Sequence, residues 1–320
     1  MPRARAKTPA GGAVLVTPGG RGARAAAQGA KTPAGGAVLV TGASSGIGRA
    51  CALHLDRLGF RVLAGVRQTA SGDELRRAAS DRLAPVALDV TDAGSVRSAA
   101  DAVAAAVGEA GLAGLAGLVN NAGITVWGPL EFVPPDELRR QFEVSVFGQI
   151  AVTQAVLPLL RACRGRVVNI GSLSGQVALP FYGPYAAAKF AVEALNDALR
   201  VELRPWGIRV ALVEPGIVAT PIWEKTLAAA DAWMREAPPA MAALYGPAIA
   251  GVRRHARRLA RASFPPADVA GVVGRALTDG RPRARYRVGQ SAQTRLLLLL
   301  ARLPPRLRDG VIARTLPRYP

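Results

Sequence analysis

From Ala37 onward, short apolar runs alternate with longer stretches whose apolar positions recur at helical spacing. Ala37-Val38-Leu39-Val40 is the first run; Arg61–Val66, Pro85–Leu88, Leu115–Val119, Arg166–Ile170 and Ile208–Val213 follow, with a shorter one at Tyr286–Val288. Brief runs that are apolar at consecutive positions predict strands buried on both faces, the mark of a parallel sheet. Between them, helices are predicted to begin near Ile47, Ser71, Asp92, Pro135 and Tyr185, several opened by Asp, Ser or Pro, which suit a first helical turn. This alternation predicts an α/β fold built on one doubly wound parallel sheet with helices on both faces and a ligand site at the carboxyl ends of the strands.

Three stretches break the rhythm. Residues 1–34 are rich in Arg, Gly, Ala and Pro without periodicity, and Ala6 to Thr17 recurs without change as Ala30 to Thr41. Only the second copy runs into a turn that can start a helix, so the first 34 residues are expected to be a disordered basic leader and 35–290 the folded domain. After Thr220 the pattern loosens into an Ala-rich insertion, about 221–263, carrying Trp223, Trp233, Met234, Met241 and Leu244. An insertion of that size at the carboxyl edge is expected to form a mobile lid over a substrate. A helix near Pro266–Leu277 follows, and the tail, 291–320, contains the basic and apolar segment Arg295 to Leu303. Packing against the lid or a partner subunit is the expectation for that tail, with Leu296–Leu300 a candidate peripheral membrane contact.

The turn after the first strand reads Gly42-Ala43-Ser44-Ser45-Gly46-Ile47-Gly48 and leads into a helical pattern. A strand breaking into a glycine-rich turn and then a helix is how a Rossmann-type nucleotide fold begins. The helix N-terminus offers free N–H groups and a positive dipole to a pyrophosphate, and glycine lets the backbone come close to it. A tight packing turn has the same outline, so the glycines alone leave both readings open.

Composition narrows the function classes. The 320 residues carry a formal charge of +19, but only Lys7, Lys31, Lys189 and Lys225 are lysines and the arginines are scattered along the whole length, so no nucleic-acid partner is expected. Cys51 and Cys163 lack the number and spacing for a disulfide framework or a metal site, which points to a reducing, cytoplasmic setting. His54 and His255 are the only histidines, which argues against a Ser-His-Asp triad or a histidine metal centre; His54 is expected to be a structural residue beside the core. The apolar run near the start, Ala13 to Val16, is too short for a secretory segment, and no run approaches the ~20 apolar residues of a spanning helix.

Tyr185 and Lys189 stand four apart at the start of the fifth predicted helix, and Ser172 stands thirteen residues before Tyr185 at the end of a predicted strand. Residues four apart share a helical face, so an ammonium lies one turn from a phenol. A neighbouring cation favours phenolate and draws the phenol down from its usual value of ~10, fitting it to give or take a proton.

Gly42-x-x-x-Gly46-x-Gly48, Asn120-Asn121-Ala122-Gly123, Ser172, Tyr185-x-x-x-Lys189 and Pro215-Gly216 appear in the order and spacing of the classical short-chain dehydrogenase/reductases, which the chain resembles from about Ala37 to its end. Leu88 to Asp92, Gly165 to Ile170, Arg209 to Gly216 and Arg283 to Tyr286 resemble the branch of retinol and hydroxysteroid dehydrogenases. The resemblance implies that Gly42, Ser44, Ser45, Gly46, Ile47 and Gly48 cradle a pyrophosphate. It implies that Asp89 and Val90 hold adenine, that Asn121, Ala122 and Gly123 line the ribose and nicotinamide, and that Pro215, Gly216, Val218 and Thr220 meet the carboxamide end. Tyr185 is implied as the acid/base, Ser172 as the hydrogen-bond partner of the substrate oxygen, and Lys189 as the ribose anchor that tunes the phenol.

At the end of the second strand, where NAD enzymes usually carry an acid, stand Val66 and Arg67. A guanidinium that can fork onto a 2′-phosphate, with no carboxylate to repel it, favours NADP, with NAD the alternative. Ser145 departs from the family, which usually has an asparagine there that bends a helix and holds a water leading to the lysine. Ser145 is polar, and a water can bridge the gap. The expected function is an NAD(P)-dependent oxidoreductase acting on a hydrophobic, steroid-like or retinoid-like alcohol or ketone; the rival reading is a nucleotide-binding sensor with a weakened relay at Ser145. A homodimer or homotetramer is implied.

Overall fold

Seven parallel strands form one sheet in the computed structural model, which describes residues 35–222, 224, 226–228, 231, 235, 238–261, 263–289 and 292–315. The strands are β1 (Ala37–Val40), β2 (Arg61–Val66), β3 (Leu83–Ala87), β4 (Leu115–Asn120), β5 (Arg166–Ile170), β6 (Arg209–Pro215) and β7 (Arg285–Val288), in spatial order β3-β2-β1-β4-β5-β6-β7. The helices are α1 (Gly46–Arg57), α2 (Thr69–Arg77), α3 (Ala93–Glu109), α4 (Pro135–Phe142), α5 (Gly148–Cys163), α6 (Gly183–Glu202), α7 (Pro239–Arg261), α8 (Pro266–Thr278), α9 (Ala292–Leu300) and α10 (Pro305–Thr315).

Both faces of the sheet are covered, which is why its strands read as unbroken apolar runs. In β1, Val38 and Val40 join β2 residues Val62 and Ala64 in a core completed by Cys51 and Leu55 of α1 and Val269, Val273 and Leu277 of α8. Ala37 and Leu39 point the other way, into a core with Leu118, Val167 and Val210 closed by Val103 of α3 and Val152, Val156 and Leu160 of α5. His54 lies half-buried on α1 against α8, where Gly274 leaves room: a Cβ there would stand 2.8 Å from His54 Nε2. Burial, followed by Arg57 and Arg275, lowers its pKa.

A chain of buried amides crosses from sheet to helix. Asn120 Nδ2 at the end of β4 donates to Asn169 Oδ1 on β5 at 3.0 Å and to Thr153 Oγ1 on α5 at 2.9 Å. Asn169 Nδ2 donates in turn to Asn196 Oδ1 on α6 at 3.1 Å. Buried polar groups are tolerable when paired, and this pairing fixes α5 and α6 against the strand ends that carry the site.

The structure departs from the sequence expectations at several edges. The third strand is Leu83–Ala87, not Pro85–Leu88, and the helix expected from Tyr185 starts at Gly183, with Pro184 in its first turn. That helix is the sixth: the stretch from Pro135 divides into α4 and α5 around one π-helical turn, Glu143–Phe147. The combined run Pro135–Cys163 is, by length and composition, long and apolar enough to cross a membrane, which the short runs did not suggest. Its apolar face is in part accounted for by α5 packing on β4. The leader and Trp223, Trp233 and Met234 lie outside the described residues. The tail packs on the segment after β5, where Leu300 and Ile312 bury against Val177 and Leu179, and Ile312 also lines a cavity together with Tyr245 of the insertion.

Candidate active site

The strand order reverses direction between β1 and β4, so the chain leaves these neighbours toward opposite faces and a crevice opens at their carboxyl ends. Gly42 (φ 63°) and Gly46 (φ 54°) adopt the left-handed conformation that side chains disfavour. A Cβ on Gly48 would collide with Gly42 O and Asn121 Nδ2, so this glycine is set by close approach. Thr41, buried at the tip of β1, stitches the crevice: its Oγ1 accepts from Asn121 N at 2.9 Å and Ala122 N at 3.0 Å. Asn121 Nδ2 returns the tie, donating to Thr41 O at 3.0 Å and Gly42 O at 3.2 Å. Asn121, expected to line a ribose, therefore also braces the glycine turn. Gly46 faces Thr220 across the crevice, where a Cβ would meet Thr220 Cγ2 at 3.1 Å. Ser45 caps α1 without a side-chain hydrogen bond, leaving the first N–H groups of the helix to an incoming acceptor, and Ser44 is exposed beside them. A bare, left-handed turn at an uncapped helix start fits a dinucleotide pyrophosphate.

Ser172 caps the short 3₁₀ turn Leu173–Gly175 and accepts from Ser174 N at 3.1 Å, which directs its hydroxyl back toward α6. There it is close enough to Tyr185 to act on the phenol. Lys189, buried with 7% of its surface exposed, donates to Ile170 O at 2.8 Å, and its Nζ lies 5.8 Å from the centre of the Tyr185 ring. The three expected catalytic groups are thus brought together. Their electrostatics differ from the expectation: burial pushes the Tyr185 phenol up, with the Ser172 hydroxyl pulling it down. Lys189 is lowered to about 8 by burial, countered by the Glu193 carboxylate.

Ser145 is buried in the π-helical turn, and its hydroxyl accepts from Gln141 Nε2 at 2.9 Å. Gln141 also donates to Ile124 O at 3.1 Å and accepts from Val126 N at 2.8 Å, so Ser145 and Gln141 fix the loop beyond Gly123. The hydroxyl of Ser145 and the ammonium of Lys189 are therefore committed to different partners. Gly148 lets α5 approach Val90, where a Cβ would meet Val90 O at 2.7 Å. Asp89 accepts from Thr91 N at 2.9 Å and Thr91 Oγ1 at 2.7 Å; these bonds, with Arg67 nearby, hold its carboxyl below the usual range against the opposing effect of burial.

Both ends of the insertion are pinned. Phe264 N donates to Ile217 O at 3.1 Å, Ala219 N to Phe264 O at 2.9 Å, and Gly216 N to Val288 O at 2.9 Å. Between them α7 lays Ala248 and Ile249 over Trp127 and Phe181. Trp127 Nε1 donates to Thr226 O at 3.3 Å. Phe181 takes φ 70°, strained for an aromatic residue and held where its carbonyl accepts from Gly128 N at 2.7 Å. Beside it opens a cavity of about 470 Å³, lined by Leu130, Phe181, Gly183, Tyr245 and Ile312 among others. Thr41, Gln141, Trp127 and Phe181 escaped the sequence reading because their roles depend on partners distant along the chain.

A model of the short chain dehydrogenases matches residues 36–231. The chain belongs to that family. This short-chain dehydrogenase is 41% identical over 283 residues to retinol dehydrogenase 5 of Mus musculus, covering 86% of each chain. It is 37% identical over 280 residues to 17-beta-hydroxysteroid dehydrogenase type 6 of Bos taurus, again covering 86% of each. A solved short chain dehydrogenase from Burkholderia cenocepacia, in complex with NADP, superposes with a TM-score of 0.65 at 26% identity, covering 89% of this chain and 98% of that one. The retinol and hydroxysteroid branch is thereby shown, and the chain is an NAD(P)-dependent oxidoreductase of alcohols and ketones.

Replacing Thr41 with Val leaves the half-buried N–H groups of Asn121 and Ala122 without their acceptor. The expected outcome is a loss of about 2–3 kcal/mol of stability in urea unfolding and at least about tenfold weaker NADPH binding by fluorescence titration; unchanged affinity would show that the turn holds itself.

Proposed function

We propose that this dehydrogenase is NADP-linked and acts on a hydrophobic ketone or alcohol of the steroid or retinoid kind, with Tyr185 as acid/base. The observation that carries the reading is the convergence of Ser172, Tyr185 and Lys189 beyond the carboxyl end of β5, next to the bare glycine turn. The bound dinucleotide supplies or takes up the hydride. Gly42, Ser44, Ser45, Gly46, Ile47 and Gly48 would hold its pyrophosphate, Asp89 and Val90 the adenine, and Asn121, Ala122 and Gly123 the ribose and nicotinamide. Pro215, Gly216, Val218 and Thr220 would meet the carboxamide.

Ser172 orients the substrate oxygen through its hydroxyl. Tyr185, which burial keeps in the neutral phenol form, gives that oxygen a proton as the carbonyl is reduced, and takes it back in oxidation. Lys189, fixed by Ile170 O, stabilises the phenolate left behind and would hold ribose hydroxyls. The cover of Trp127, Phe181 and Ile249, and the apolar cavity one turn before Tyr185, support a bulky apolar substrate. So do the names of the retinol and hydroxysteroid relatives.

Exposed Phe147 (56%), Phe190 (43%) and Val201 (67%) on the α4–α6 side support a homodimer or homotetramer. Free Cys51 and Cys163 support a cytoplasmic setting, and exposed Leu296 and Leu299 on α9 beside Arg295 support peripheral contact with a membrane.

Three outcomes are expected. Tyr185→Phe should lower kcat with NADPH and apolar ketones by about 10²–10⁴-fold; retained turnover would sink the mechanism. Arg67→Ala should raise the KM for NADPH by about tenfold while leaving that for NADH nearly unchanged, and equal effects would return the choice to NAD. Light scattering should give a mass of at least two chains, and a single-chain mass would remove the oligomer.

A further inference from the structure

Along one face of α6 the sequence places Tyr185, Lys189, Glu193 and Asp197 at steps of four. The first two are the catalytic phenol and its ammonium, and the third continues the row away from the substrate, into the protein. The Glu193 side chain is 12% exposed and passes under the turn that carries Ser172: a Cβ on Gly175 would stand 2.9 Å from Glu193 Cγ and 2.9 Å from Lys189 O. Opposite it on β6 is Glu214, fully buried and one residue before Pro215-Gly216.

Two buried carboxyl groups face each other here, and their hydrogen bonds are unequal. Glu193 Oε2 accepts from Arg285 NH1, and Glu214 Oε1 accepts from Gln176 Nε2. Glu193 Oε1 and Glu214 Oε2 are buried without a hydrogen-bond partner, and Arg285 NH1 lies within ion-pair distance of both carboxyls, which brings the two acids to one place. Other charges surround the pair. On α6 itself are Lys189 and Asp197, the latter accepting from Arg285 NH2 at 2.8 Å. From β7, Arg285 NH1 stands 3.8 Å from Glu214 Oε1 and Arg287 Nε 3.7 Å from Glu214 Oε2, too far for hydrogen bonds. From the 3₁₀ turn only neutral Gln176 reaches in, donating to Glu214 and accepting from Arg287 NH2 at 3.5 Å. Arg287 meets Glu214 Oε2 through charge alone, no arginine hydrogen-bonds either orphaned oxygen, and two buried carboxylates close together repel. A single hydrogen placed between them removes both faults.

We propose that Glu193 and Glu214 share one proton, and that this pair sets the charge behind Lys189, making Glu193 a positioning residue for the Tyr185–Lys189 centre. The inference rests on the proposed roles of Tyr185 and Lys189 for its kinetic part alone. Burial, chiefly, together with the Glu214 carboxyl holds Glu193 up to about 7, against the pull of Arg285. As pH rises through that value Glu193 gives up the proton, which adds a negative charge behind Lys189. That charge favours the ammonium form of Lys189 and delays its loss of a proton. The pair thus keeps Lys189 charged over the alkaline range in which burial alone would neutralise it.

The test uses the full chain and its Glu193→Gln and Glu214→Gln variants. Infrared difference spectra between pH 5 and 9 should show a protonated-carboxyl band in the wild type that disappears near neutrality, is absent from Glu193→Gln, and disappears at lower pH in Glu214→Gln, where the neighbouring charge is gone. In pH profiles of kcat/KM with NADPH and a ketone substrate, Glu193→Gln should shift the alkaline limb down by about one pH unit, with KM for NADPH little changed. Glutamine supplies an N–H where the shared proton stood, so thermal unfolding at pH 8 should show the variant as stable as the wild type. A wild-type spectrum without the band, or a band that survives in Glu193→Gln, would overturn the shared proton. A Glu193→Gln profile that superimposes on the wild type while its melting temperature falls would reduce Glu193 to a structural ion-pair partner. Should Tyr185→Phe retain full activity while the infrared band behaves as expected, the catalytic reading fails and the acid pair stands.

Discussion

A positive charge carried into the interior is what the rest of the site has to accommodate. Taking an ammonium out of water is costly unless hydrogen bonds and opposite charge replace the solvent, and Lys189 receives both. The carbonyl of Ile170, the last residue of β5, accepts one of its hydrogens, which ties α6 to the strand whose continuation supplies Ser172. Glu193 approaches from the next turn of the same helix. The position of the phenol follows from the position of the amine, because both project from one face of one helix.

The crevice at the glycine turn obeys a second constraint, the close approach of backbone to backbone. Gly48 is bare because the carbonyl of Gly42 and the amide of Asn121 occupy the space a methyl would need, and Gly42 because Ala122 lies against it. Thr41 turns this contact into a bonded one by accepting from two successive N–H groups of the neighbouring segment. The pinned ends of the insertion use the same economy: two backbone hydrogen bonds at Phe264 and one from Gly216 to Val288 hold its base, while α7 reaches over Trp127 and Phe181.

Several arginines hold parts of the fold together. Arg166 is buried and donates to Ala276 O at 2.8 Å, joining β5 to α8. Arg139 and Arg140 pair with Asp136 and Glu137 on the surface of α4, contacts worth at most about 1 kcal/mol each. Arg285 bridges Glu193 and Asp197. These guanidinium groups serve local contacts on different faces of the described fold.

The sequence by itself determined the elements and the chemical cast. Short apolar runs alternating with helical patterns pointed to strands covered on both sides, the spacing of four put Tyr185 and Lys189 on one face, and the glycine turn joined them in a recognisable order. Strand edges at Leu83 and helix starts at Gly183 were blurred because a terminal residue is decided by its neighbours in space, not by its own propensity. The π-helical turn at Ser145, the grip of Gln141 on it, the stitch at Thr41 and the amide chain through Asn120, Asn169 and Asn196 left no periodic trace. Each joins residues far apart in sequence or commits a polar side chain to a partner that only folding brings near. The state of the phenol belongs to the same class: spacing placed a cation beside Tyr185 and suggested a lowered pKa, whereas the packed structure buries the hydroxyl and raises it. Spacing along a helix is fixed by covalent geometry, but desolvation exists only once the rest of the chain has closed around the group.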